Sequence, residues 1–184
     1  MRRAGFIIAL LLWAWPALGW AAVRIDFYSR DTDSRFPHAF VALTGTLDET
    51  GEQIDETWGF TVKGEFTPTL LAAPAAGVVR PVKETDPGIS TLHFSLVLTD
   101  VEYRAVKALV AEWQALPQPS YDLHRRNCIT FVAAVATRLG LDATIPRGLE
   151  WKPKAFLASA RRRNETVIAA RAPPVAATVV SAGR

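Results

Sequence analysis

The chain predicts an α+β domain on three observations. From residue 22 to Leu98 the apolar residues fall in short, strand-type segments. From Thr99 onward they recur at helical spacing. One of the helical segments, from Cys128 to Leu139, is apolar nearly all round, so it belongs in the middle of the domain, with an antiparallel sheet packed on it.

In order along the chain, Val23 to Tyr28 (VRIDFY) alternates apolar and polar residues, as a half-buried strand does. A polar loop, SRDTDSRFP, leads into HAFVALTG, a compact apolar run that reads as a buried strand. After the acidic, turn-rich Asp48 to Asp55, ETWGFTVKG reads as the second arm of a hairpin. Pro68 to Gly88, rich in proline and alanine, reads as irregular chain wrapping the body. Ile89 to Leu98 is again strand-like. Thr99 and Glu102 form a capping-box pattern ahead of Val106, Leu109, Val110 and Trp113, so a helix starts there and stops near Leu116, before Pro117 and Pro119. Asn127 and Gly140 bracket the central helix as N-cap and terminal glycine. A last helix is expected from about Pro153 to Arg163.

The first residues, MRRAGFIIALLLWAWPALGWAA, have the charged, apolar and small-residue regions of a secretory signal peptide, with cleavage near Ala21. Their apolar run falls short of the roughly 20 residues a spanning helix needs, so no stable membrane span is expected once the signal is cleaved. The expected organisation is a signal peptide at 1–21, one domain at 22–168 and a flexible Ala/Pro-rich tail at 169–184, with the mature chain exported to the periplasm or the extracellular space. Residues 22–160 carry 14 Lys and Arg against 17 Asp and Glu, a formal charge of −3, with no basic stripe interleaved with aromatics. Nucleic acid is therefore not an expected partner.

Exported proteins usually pair their cysteines, and this chain has one. Cys128 falls in the first turn of the central helix, where unpaired backbone N–H groups and the preceding Arg125 and Arg126 favour thiolate. A thiol pKa below the free-cysteine value is therefore expected, and with it a nucleophile. A thiol nucleophile needs a base, and three histidines are present. His124 lies on a link beside two arginines and reads as solvent-facing. His93, between Leu92 and Phe94, reads as pointing away from the core. His38, where a loop gives way to a strand, is the best-placed base. The absence of a Cys-x-x-Cys pair disfavours thiol redox chemistry, the scattered histidines disfavour a metal site, and no cofactor is expected.

FPHAFVALTG, TWGFTVKG and YDLHRRNCITFVAAVATRLGL together resemble the circularly permuted branch of the NlpC/P60 papain-like superfamily, in which the histidine strand precedes an Asn-Cys helix. The resemblance covers roughly Ser34 to Leu141. It implies a permuted papain-like domain with Cys128 as nucleophile and His38 as base, an imidazole nitrogen lying within about 4 Å of the sulfur. It implies a third polar group on the following strand, for which Glu56 is the candidate, with Thr57 beside it. Asn127 is the candidate for orientation or oxyanion binding, and Trp58 and Tyr121 for the cleft, with Trp151 and the Pro-rich segment as further candidates. The implied activity is a cysteine hydrolase or acyltransferase acting on an amide, thioester or ester of a peptide, peptidoglycan or acyl-bearing substrate. The alternative is a non-catalytic periplasmic binding module on the same fold.

Overall fold

A computed structural model describes residues 22–32, 35–64, 70, 72–82 and 89–174. The expected signal peptide lies outside these residues, as do 175–184 of the expected tail and much of the Pro-rich segment. The described chain is mixed α and β, and five strands form one antiparallel sheet in the order β4-β3-β2-β1-β5. Their ranges are β1 Val23–Thr32, β2 Arg35–Thr46, β3 Gln53–Val62, β4 Gly77–Arg80 and β5 Thr91–Leu98. Four helices accompany them, α1 Asp100–Gln114, α2 Cys128–Arg138, α3 Pro153–Arg163 and α4 Glu165–Ala170.

Helix starts follow the local chemistry. Thr99 Oγ1 accepts from Glu102 N, and Glu102 Oε2 accepts from Thr99 N, closing the capping box of α1. Asn127 caps α2, and Gly140, at φ +82°, takes the left-handed turn just past its end. Pro153 occupies the first turn of α3, where its missing N–H costs nothing.

Alternation along the strands divides the sheet into two rows. Val23, Ile25, Phe27, Ala39, Val41, Leu43, Ile54 and Phe60 join Val106, Leu109, Ile129, Val132, Phe156 and Leu157 in one core, so the helices pack on a single face. The opposite row carries Tyr28, His38 and Phe40, with Tyr28 and His38 each stacked on Phe40. Thr57 Oγ1 donates to Val82 O and accepts from Val82 N, which draws the chain after β4 over that second face.

Four expectations are revised. The polar stretch Ser29 to Pro37, expected to be loop, is mostly strand, since β1 runs to Thr32 and β2 starts at Arg35. The Pro-rich segment holds a strand, β4, which ladders onto β3 from Gly59–Arg80 to Val62–Gly77. β3 begins at Gln53, inside the acidic stretch expected to be turn. The chain past α3 continues into α4, so Ala169 and Ala170 are helical where a tail was expected. Arg171 behind them is tied to β5 by Val97 N donating to Arg171 O at 2.8 Å.

Candidate functional site

Cys128 opens α2 on the helical side of the sheet and is buried, 6% exposed. The β2–β3 ladder ends at Val41–Trp58. Two residues beyond, the Ala39 backbone N–H reaches toward the sulfur. Burial pushes the thiol up to about 11, against the smaller lowering effect of the Ala39 and Ile129 N–H groups. The expectation of a lowered thiol pKa is therefore reversed. A helix N-terminus favours an anion, but removing the sulfur from water costs more here.

Cys128 lines a cavity of about 160 Å³. Its apolar lining comes from Pro37, Tyr121, Leu123, Ile129, Trp151 and Pro153, and its polar lining from Asn127 and Glu150. Trp151 is half-exposed at 52% and makes an edge contact with His124, ring centroids 4.7 Å apart. Tyr121 is buried, and burial followed by the neighbouring Cys128 raises its pKa. Of the residues expected to form the cleft, Tyr121 and Trp151 are there.

His38 is not. Pro37, Ala39 and Val41 turn toward α2, so His38 projects from the other face of β2. Its ring lies over Gly59, where a side-chain Cβ would come within 2.6 Å of Nε2 and 2.8 Å of Val82 Cγ2. Burial, then the charges of Arg30 and Arg80, lowers its pKa to about 4. The residue on β2 that meets the sulfur is Ala39, which has no side-chain base.

Glu56 and Trp58 belong to another cluster. Glu56 accepts from Lys107 Nζ at 2.6 Å, Trp58 Nε1 at 2.8 Å and Tyr103 OH at 3.2 Å, and Lys107 also sits over the Trp58 ring. Burial raises the Glu56 pKa, but these partners outweigh it and hold the carboxyl below its ordinary value. The cluster pins β3 to α1 and does not line the cavity at Cys128.

Asn127 is spent on structure. Its Oδ1 accepts from Ile129 N at 2.8 Å and Thr130 N at 3.2 Å, and its Nδ2 donates to Leu123 O at 2.8 Å and Glu150 O at 3.0 Å. Both amide hydrogens are engaged, leaving none for an oxyanion.

His93 also departs from expectation. The β1–β5 register shifts between Phe27 and Tyr28. The bulge lets His93 and Phe94 both reach the helical side, His93 to Ser29 Oγ at 2.9 Å and Phe94 onto Phe27. Leu92, expected inside, is 48% exposed.

Leu123, Glu150 and Pro153 were not expected at the site. The available signal was the pairing of Trp151 with a proline-started helix next to an Asn-capped one, two features that bring separate loops to one opening. Among the described residues no group of three or more His, Cys, Asp or Glu is placed to hold a metal ion, and no helix is long and apolar enough to cross a membrane. In comparisons with known proteins, no family model, no curated protein and no solved structure matches this chain.

Proposed function

We propose that this chain is an exported binding module on a permuted papain-like plan, in which the cysteine helix serves as the wall of a binding cavity. The observation that carries this reading is Cys128 itself, buried beside an apolar cavity and facing Ala39, while His38 stands on the other face of the sheet. A thiol with a pKa near 11 is almost wholly protonated at neutral pH and in that form is a poor nucleophile. The papain-like plan draws its support from the order of the elements: a His-Ala strand, a hairpin partner, then an Asn-capped Cys helix packed on that strand.

A cysteine hydrolase or acyltransferase is the second reading, and one observation favours it: Cys128 lines the cavity from the first turn of a helix. Labelling with iodoacetamide from pH 6 to 11 separates the two. The binding reading expects slow labelling of the native protein, with no inflection below the free-thiol value of about 8.5. Rapid labelling at neutral pH, with an inflection below that value, would restore Cys128 as a nucleophile.

A further inference from the structure

We propose that the cavity at Cys128 takes an anionic amphiphile, with a short apolar end inside and a carboxylate or phosphate head at the mouth. The inference rests on the binding reading and adds the class of ligand. A cavity of about 160 Å³ is too small for a whole cofactor. It is close to the ~150 Å³ of an engineered apolar cavity that takes one benzene, which sets the apolar end at about six carbons. The half-exposed Trp151 extends the apolar wall outward to the opening.

The head group follows from charge. Two segments form most of the lining, Tyr121 to Ile129 and Glu150 to Pro153, with Pro37 of β2 beside them. On and beside them lie Arg125, Arg126, Arg147 and Lys152, all exposed. Elsewhere Arg24, Arg104, Arg138, Arg163 and Arg171 are each tied to a carboxylate. Arg125, Arg126, Arg147 and Lys152 have no such carboxylate partner among the described residues. The carboxylates on these segments, Asp122 and Glu150, are outnumbered by the cations. Asp122 Oδ1 accepts from His124 N and Arg125 N, and Glu150 Oε2 accepts from Gly148 N at 2.7 Å. In a body whose formal charge is negative, four exposed cations on and near the two lining segments form a local field that attracts an anion.

The test uses the full chain and four probes with the same six-carbon end: hexanoate, hexyl phosphate, hexanol and hexylamine, titrated by calorimetry at low and high salt. The expected result is that one or both anions bind about fivefold or more tighter than hexanol, the scale of one exposed charge interaction, and that hexylamine binds most weakly. The stronger anion identifies the head group. High salt brings the anions down to hexanol and the double variant Arg125→Ala/Arg126→Ala narrows their lead at least twofold, while hexanol affinity stays within twofold. Trp151→Ala weakens all four probes. Equal binding of the anions and hexanol, or preferred binding of hexylamine through Glu150, overturns the charge inference and leaves the binding reading standing. Failure of all four probes to bind overturns both.

Discussion

The His38 ring lies against the Gly59 backbone, on the face of β2 turned away from Cys128. Any side chain at position 59 would collide with the ring, so glycine is what lets β2 and the chain after β4 close over it. Protonating His38 there would put a cation in a buried space beside the charges of Arg30 and Arg80. The folded pKa of about 4 lies below the unfolded value of about 6.5, so between those limits the unfolded chain binds the extra proton. The contribution is complete above pH 6.5 and is lost as pH falls toward 4. It amounts to at most ~3 kcal/mol, at 1.36 kcal/mol per pKa unit. Urea denaturation at pH 4.5 and 7.5 should show that His38→Gln flattens this part of the slope. An unchanged slope in the variant would mean that His38 titrates as it does in the unfolded chain.

Among the elements, α2 is held by its cap as much as by its core. Ile129, Phe131 and Val132 are buried on it, yet where the helix begins depends on the four side-chain hydrogen bonds of Asn127. Two of them satisfy helix N–H groups, and two tie the helix start to the Leu123 and Glu150 carbonyls of the cavity loops. Asn127→Ala should cost about 2–4 kcal/mol, a lost cap plus buried carbonyls left without donors. Asn127→Asp keeps the cap but not the two donors, and should fall between alanine and wild type in urea denaturation. A loss below 1 kcal/mol for alanine would show that the loops hold themselves. The cap and both ends of α2 were legible in the sequence because each is written in one or two neighbouring residues. The facing of β2 was not. In PHAFVAL both alternating rows are apolar apart from His38, so period two gives two rows but not which one meets the helix. β4 was hidden for a related reason, since four residues flanked by alanine and proline become a strand only through pairing with β3. The bulge that redirects His93 likewise depends on the register with β1.

Across the whole molecule, the β5–α1 corner and the distant end of α2 meet at one residue near the end of the described chain. Arg171 Nη1 donates to Leu139 O at the end of α2, and Nη2 donates to Val97 O on β5 and to Glu102 on α1. Its own carbonyl accepts from Val97 N, so backbone and side chain together engage the N–H and the C=O of the same residue on the outer edge of β5. The guanidinium also sits at the negative end of the α2 dipole, where a cation is favoured. Lysine could supply the charge but not a planar fork that reaches two carbonyls and a carboxylate at once. Arg171→Ala should therefore cost about 1–3 kcal/mol, the range for leaving part-buried acceptors without their donor. Arg171→Lys should recover less than half of that. Amide exchange at Val97 should quicken in the alanine variant, because that N–H depends on the position of the Arg171 carbonyl, while Phe27 and Leu43 in the sheet interior keep their protection. If Arg171→Ala unfolds at the wild-type urea concentration and Val97 exchanges no faster, the segment after α3 makes no contribution to holding β5, α1 and α2 together.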